Sequence, residues 1–162
     1  MKKIFLGLIL GLVALSSPCQ EISTYYLIRH AEKVITEDRN PDLTEKGYSR
    51  AQTWVNIFKD VKFDAVYSTD YIRTIKTAKP TAQDQGLEIQ KYHPTKIDIE
   101  KFLKDTKGKT VLIVGHSNTT PTITNKLIGE KKYEFIEDDV FGNLYIVEII
   151  GELKTSQLLH FE

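Results

Sequence analysis

The chain has 162 residues, of which 41% are hydrophobic and 27% are charged, and its formal net charge is zero. This length supports one domain with a sizeable hydrophobic core, and the composition excludes an intrinsically disordered chain. The balanced charge gives no indication of a nucleic-acid partner or of a polybasic membrane-binding surface.

The first 20 residues have the plan of a secretory signal peptide. Two lysines follow Met1, and an apolar run extends from Ile4 to Leu15. This run of 12 residues is shorter than the roughly 20 residues of a membrane-spanning helix. We therefore expect residues 1–20 to be a leader and residues 21–162 to form an exported domain, periplasmic or extracellular.

Cys19 is the only cysteine of the chain, so an intrachain disulfide is excluded. Its position just after the apolar run resembles the lipid-modified cysteine of bacterial lipoproteins, although Pro18 directly before it departs from that pattern. Simple cleavage near Cys19 or Gln20 is the preferred interpretation, and lipid anchoring at Cys19 is the alternative. A membrane partner is expected only in the second case.

Strands and helices alternate in the rest of the chain. Runs of β-branched and aromatic residues predict strands, and apolar residues at helical spacing predict helices. The predicted strands are residues 25–28, 63–68, 87–92 and 110–114, and the last two, residues 143–150 and 154–160, form a hairpin. The predicted helices are residues 45–58, with Thr44 as the N-cap, and residues 71–85, 97–104 and 120–128. This alternation predicts an α/β fold, a three-layer αβα sandwich with a mostly parallel sheet and a C-terminal hairpin.

Polar side chains follow three of the predicted strands at the point where each strand ends. They are Arg29 and His30 after the first strand, Ser68 and Arg73 after the second, and Gly115, His116 and Ser117 after the fourth. Ligands of open α/β sheets bind beyond the carboxyl ends of the strands. Two histidines and two arginines at one sheet edge are difficult to explain by four unrelated capping or surface roles.

These residue types suit phosphoryl transfer. Arg29 and Arg73 each offer a fork of N–H donors that matches phosphate oxygens. The helix after Ser117 would add backbone donors and the positive end of its dipole. A neutral imidazole is a competent nucleophile at phosphorus, and we assign that role to His30 because Arg29 would hold phosphate beside it. His116 is then a second phosphate ligand.

Four segments resemble, in the same order, the motifs of the histidine phosphatase superfamily, the phosphoglycerate mutase-like proteins. They are LIRHAE at 27–32, LTEKGYSRA at 43–51, VYSTDYIRTIKTA at 66–78 and VLIVGHSNT at 111–119. Ala31 stands where the family's first motif has glycine. The resemblance implies a phosphoglycerate mutase-like fold, a phosphorylated His30 intermediate, and a phosphate pocket completed by Arg29, Arg73 and His116.

The chain resembles the short phosphohistidine phosphatases more than the mutases, because it lacks room for the long insertion with which mutases cover their substrate. We therefore expect hydrolysis of phosphomonoesters or phosphohistidine, on a small phosphorylated substrate or a phosphorylated protein side chain. A phosphomutase and a non-catalytic phosphate-binding or phospho-ligand-binding protein are the alternatives. No metal ion or cofactor is implied, since the arginines and a helix end already balance the phosphate charge.

The general acid that protonates the leaving group is not evident from the sequence. Glu32 is the preferred candidate because it is nearest to His30 along the chain. Asp70, Asp98 and the acidic cluster at residues 137–139 are the other candidates.

Overall fold

The structure is a computed structural model that describes residues 20–162. Residues 1–19 of the predicted leader, Cys19 among them, lie outside the described residues, so export and lipid anchoring stay predictions. The strands are β1 (Ile22–Arg29), β2 (Ala65–Thr69), β3 (Ile89–Tyr92), β4 (Thr110–Gly115), β5 (Asn143–Ile150) and β6 (Leu153–His160). The helices are α1 (Glu45–Ile57), α2 (Ile72–Asp84), α3 (Ile99–Asp105) and α4 (Thr119–Ile128). Within residues 20–162, no helix combines the length and the apolar character that crossing a membrane requires.

All six strands form one mixed sheet in the order β3-β2-β4-β1-β5-β6. The first four strands in this order are parallel neighbours, whereas β5 runs antiparallel to β1 and β6 antiparallel to β5. Arg29 at the end of β1 lies opposite Gly115 at the end of β4, and Ser68 of β2 lies opposite Val114. The carboxyl ends of β1, β2 and β4 therefore meet at one edge, and the predicted C-terminal hairpin is confirmed.

The two faces of the sheet are covered by different helices. Leu27 belongs to a buried cluster with Phe102 of α3 and Leu127 of α4. Ile28, the next residue along β1, belongs to a second cluster with Trp54 of α1. Successive strand residues point to opposite faces, so a continuous apolar run such as β1 must be covered on both sides. This confirms the predicted three-layer α/β arrangement.

Local signals set most element boundaries. The Thr44 hydroxyl accepts a hydrogen bond from the Gly47 N–H at 3.0 Å and caps α1 as predicted, and Gly129 ends α4 with φ +82°. The predicted first strand was too short, because β1 continues back to Ile22, which pairs with Ile150 of β5. Pairing with a strand far along the chain is not visible in the local sequence of residues 22–24.

Candidate active site

His30 lies at the end of β1 and is almost wholly buried, with 3% of its surface exposed. Its Nδ1 lies 2.8 Å from the carbonyl oxygen of Ala31. A carbonyl only accepts hydrogen bonds, so Nδ1 carries the proton and Nε2 of the neutral ring keeps its lone pair. Burial lowers the pKa of His30 to about 3, and the positive charge of Arg29 acts in the same direction. Near neutral pH the ring is thus a neutral imidazole with an unprotonated Nε2.

The Ala31 peptide is itself held by α2. Its N–H donates to the Thr77 hydroxyl at 2.9 Å, and that hydroxyl donates to the carbonyl oxygen of Arg73 at 2.7 Å. Ala31 and Thr77 both have no exposed surface. Thr77 therefore connects the backbone that orients His30 with the helix that carries Arg73.

His116, which follows β4, lies beside His30, with 5.5 Å between the ring centres. Its Nδ1 accepts from Nη2 of Arg73 at 3.4 Å, since a guanidinium only donates, and its Nε2 therefore donates to the Thr69 hydroxyl at 2.9 Å. Thr69 donates in turn to the Thr74 hydroxyl at 2.9 Å. Burial and the Arg73 charge lower the pKa of His116 to about 4, so this ring too is neutral without a bound anion.

Arg29 is held by the segment that precedes β5. Its Nη1 donates to the carbonyl oxygens of Glu137 and Val140, both at 2.8 Å. Its Cζ lies 4.2 Å from the centre of the Phe141 ring. These contacts leave 4% of the residue exposed and fix the direction of the guanidinium.

Arg73 is half-buried and more loosely held, with its Cζ 4.6 Å from the centre of the Tyr71 ring and its Nη1 donating to the carbonyl oxygen of Arg39 at 3.5 Å. In the described part of the chain, neither Arg73 nor Arg29 has a carboxylate within 4.0 Å. The Nε atom of each is buried without a hydrogen-bond partner. Buried guanidinium groups are ordinarily paired. The buried Arg29 and the half-buried Arg73 lack anionic partners, and beside two histidines they form an anion-binding arrangement.

Ser117 is half-buried and lies between His116 and the start of α4. Its carbonyl oxygen accepts from the Ile136 N–H at 2.9 Å. The N-cap residue Asn118 makes no side-chain hydrogen bond to the helix. The sequence predicts backbone donors for an anion at this helix start. The Thr120 N–H already donates to the carbonyl oxygen of His116 at 3.0 Å and Pro121 has no N–H, so neither residue offers a donor to an anion.

Glu32 has a different environment from the one that a proton donor needs. Nε of Arg50 donates to both of its carboxylate oxygens, at 3.0 and 2.9 Å, and Nζ of Lys46 lies 3.4 Å from Oε1. Burial, the largest single effect, would raise the pKa of Glu32, but the hydrogen bonds from Arg50, from the Glu32 backbone and from Lys46, together with the Arg50 charge, outweigh it and lower the pKa. An ionised carboxylate held by two cations joins β1 to α1 and is a poor proton donor near neutral pH.

Of the other candidates for the general acid, some already have protein partners and others line a cavity beside Arg29. Asp70 is exposed and pairs with Lys91 at 2.8 Å, and Asp98 caps α3 by accepting from the Lys101 N–H at 3.0 Å. Asp138 and Asp139 are exposed, line a cavity next to Arg29, and help to keep that guanidinium charged. Within residues 20–162 no three His, Cys, Asp or Glu side chains are grouped so that they could hold a metal ion.

The sequence predicted that four residues lie at the carboxyl edge of the sheet, and the structure places these four close together: Arg29, His30, Arg73 and His116. Sequence reasoning missed Thr69, Thr77 and Phe141, which contact these residues or their neighbouring backbone, and Arg50, which pairs with Glu32. Thr77 could have been found, because it lies in the segment at 66–78 that resembles a family motif. Phe141 follows no regular pattern, and its place over Arg29 depends on the path of the chain before β5.

Comparisons with known proteins agree with this architecture. The model of the histidine phosphatase superfamily (branch 1) matches residues 25–93, a segment that contains Arg29, His30 and Arg73. His116 lies beyond that segment and joins the others only through the fold. No curated protein matches the chain.

Solved structures share the fold at low sequence identity. The alpha-ribazole phosphatase of Shigella flexneri is 17% identical with a TM-score of 0.68, covering 85% of this chain and 96% of its own. A protein of Agrobacterium tumefaciens provisionally named phosphohistidine phosphatase SixA is 19% identical with a TM-score of 0.64, covering 86% and 99%. The phosphoglycerate mutase of Bacillus anthracis str. Sterne is 17% identical with a TM-score of 0.65, covering 86% and 93%. The family model thus finds the sequence pattern of the histidine phosphatase superfamily (branch 1) in residues 25–93, and the solved structures confirm that the chain has a phosphoglycerate mutase-like fold.

Proposed function

We propose that the protein is a phosphatase that hydrolyses phosphomonoesters, or phosphohistidine, through a phosphorylated His30. The observation that carries this proposal is the hydrogen bond from His30 Nδ1 to the Ala31 carbonyl oxygen. It leaves the Nε2 lone pair free on a ring whose pKa is lowered by burial and by the charges of Arg29 and Arg73, two arginines without anionic partners among residues 20–162. A nucleophile and an anion-binding arrangement are what phosphoryl transfer requires of a protein.

In the first step Nε2 of His30 attacks phosphorus, a nitrogen–phosphorus bond forms, and the bond from phosphorus to the leaving oxygen breaks. The ring gains positive character as this bond forms. Because Nδ1–H already points at the Ala31 carbonyl, this hydrogen bond strengthens with the charge and needs no rearrangement. Arg29 and Arg73 would stabilise the oxygens of the phosphoryl group during transfer.

In the second step water attacks phosphorus and the nitrogen–phosphorus bond breaks, which returns the lone pair to Nε2. One proton of the water leaves to solvent or to the released phosphate. His116 would act as a phosphate ligand throughout. An approaching phosphate dianion raises the pKa of a nearby imidazole, so binding itself would favour the cationic form of His116.

Protonation of the leaving group limits the range of substrates. Glu32 is engaged by Arg50 and Lys46, and we therefore do not assign the proton to it. Without a well-placed acid, substrates whose leaving group departs without full protonation react fastest. Aryl phosphates and phosphohistidine are of that kind, and alkyl phosphates are expected to react more slowly.

The proposal is tested with His30→Ala and with His160→Ala as the matched control. His160 is an exposed histidine that pairs with Asn143 on the edge strand, at 2.8 Å. Wild type and His160→Ala should release phosphate from an aryl phosphate and carry an acid-labile phosphoryl label, whereas His30→Ala should do neither. Labelling of His30→Ala at the wild-type level would overturn the role of His30.

The fold does not distinguish a phosphatase from a phosphomutase, because the neighbouring structures include both kinds of enzyme. The fate of the phosphoryl group does: a phosphatase releases it as inorganic phosphate, and a phosphomutase transfers it to another hydroxyl. The labelled protein is mixed with glycerol or a sugar in water, and the products are separated. Inorganic phosphate as the main product supports hydrolysis, and a phosphorylated acceptor supports a mutase. Saturable phosphate binding without any turnover would instead support a phosphate-binding protein.

A further inference from the structure

A cavity of about 650 Å³ lies beside Arg29. Its lining includes Arg29, Phe141 and Ile35, with Lys33, Asp138 and Asp139 contributing charge. We propose that this cavity binds the leaving alcohol of the substrate, that the alcohol is apolar and carries no second anionic group, and that Ile35 determines specificity for it. This inference rests on the proposed phosphatase function.

The position of the cavity supports the first part of the inference. Arg29 is a predicted phosphate ligand and also lines the cavity. Phe141, another lining residue, lies 4.2 Å from Cζ of Arg29 and 6.2 Å from the centre of the His30 ring. A phosphate held between Arg29 and His30 would therefore border the cavity, and its ester group could extend into it. The volume is ordinary for a small-molecule site.

A second cavity of about 550 Å³ is lined by Tyr71, whose ring centre lies 4.9 Å from that of His116. Neither arginine nor either histidine of the site lines it. Of these two cavities, the first is the one that Arg29 lines, so an ester group on a phosphate held by Arg29 would start beside it. The first cavity is therefore the better leaving-group site.

Ile35 supports the apolar character of the ligand. Its side chain is 95% exposed in the loop after β1 and borders the cavity. Its apolar surface therefore remains available to a ligand. A leaving alcohol with an apolar body that lay between Ile35 and the Phe141 ring would cover both side chains, and the area removed from water would strengthen binding.

The charges around the cavity disfavour a second anionic group. Arg29 would be engaged by the phosphate, and Lys46, another lining residue, already pairs with Glu32 at 3.4 Å. Lys33 then remains as one cation against two carboxylates, Asp138 and Asp139. None of these three has an ion-pair partner within 4.0 Å among residues 20–162. Nucleotides, bisphosphates and carboxylated esters would be repelled.

The apolar part is tested with Ile35→Asn, using phenyl phosphate and 1-naphthyl phosphate. Their leaving alcohols have similar acidity, so the pair isolates apolar size. Val34→Asn is the matched control, because Val34 is the neighbouring exposed apolar residue, at 41% exposure, and does not line the cavity. Ile35→Asn should lower kcat/KM for 1-naphthyl phosphate by about fivefold and that for phenyl phosphate by less, whereas Val34→Asn should change neither. The role of Ile35 would be overturned if Val34→Asn lowered kcat/KM for 1-naphthyl phosphate as much as Ile35→Asn does. It would also be overturned if Ile35→Asn lowered kcat/KM equally for both esters.

The charge part is tested with 4-(carboxymethyl)phenyl phosphate. Wild type should hydrolyse it more slowly than phenyl phosphate, and the double variant Asp138→Asn/Asp139→Asn should reduce that difference. Equal rates on the two esters in wild type would overturn the exclusion of anionic leaving groups. Failure to hydrolyse any of the three esters would instead overturn the proposed phosphatase function, so the two failures are distinguishable.

Discussion

Thr77→Val removes a hydroxyl and keeps the shape of the side chain. In the wild-type structure this hydroxyl accepts from the Ala31 N–H at 2.9 Å, and the Ala31 carbonyl of the following peptide accepts from His30 Nδ1 at 2.8 Å. Ala31 has no exposed surface, so water cannot replace the lost partner. An unsatisfied buried N–H costs about 1 to 3 kcal/mol, and we expect the free energy of unfolding to fall by that amount.

The same variant should lower kcat by about tenfold or more, because small displacements of a nucleophile are costly to catalysis. Thr77→Ser keeps the hydroxyl and should recover most of the activity, although loss of the methyl group costs about 1 kcal/mol of stability. Urea unfolding gives the stability change. Steady-state hydrolysis of phenyl phosphate, with inhibition by inorganic phosphate, separates kcat from anion binding.

The decisive comparison sets the change in kcat against the changes in phosphate inhibition and in stability. If Thr77 positions His30, kcat falls while the inhibition constant of phosphate stays near its wild-type value, and Thr77→Ser restores kcat. If Thr77→Val loses stability but keeps kcat within twofold of wild type, the hydroxyl only supports the fold, and our reasoning on His30 is refuted.

Three further predictions follow from the packing and charges of the site. A Cβ at Gly47 would lie 2.1 Å from the carbonyl oxygen of Glu32, so Gly47→Ala should displace α1 and cost about 1 to 3 kcal/mol in urea unfolding; unchanged stability would contradict that contact. Glu32→Gln should cost about 2 to 3 kcal/mol by weakening the pair with Arg50 and should slow aryl and alkyl esters alike, whereas a selective loss on alkyl esters would restore Glu32 as the acid. The pKa of His30 is about 3 in the folded state and about 6.5 in the unfolded state. Between these two pH values the unfolded state binds more protons than the folded state. The free energy of unfolding therefore falls as the pH falls below 6.5. His30→Gln should therefore make unfolding between pH 6 and pH 4 less pH-dependent, by up to about 1.4 kcal/mol per pH unit, and an unchanged slope would place a charged His30 in the folded state.

Local sequence was sufficient for the elements and for the layer arrangement. Thr44 and Gly129 mark helix ends by chemistry that acts within a few residues. The continuous apolar run of β4 indicates a strand covered on both faces, as the two core clusters confirm. The strand ends then place Arg29, His30 and His116 at one edge, because parallel strands present their carboxyl ends together.

The sequence by itself determined the order of the elements, the sheet edge that carries the site and the residues that lie there. Tertiary structure alone decided the state of those residues. The Nε2 lone pair of His30 depends on burial and on the carbonyl of Ala31, a residue whose N–H is held by Thr77, 46 positions along the chain. The pairing of Glu32 with Arg50 depends on the docking of α1 against β1. Desolvation and long-range hydrogen bonds arise only when distant segments pack together, and for that reason no local pattern encodes them.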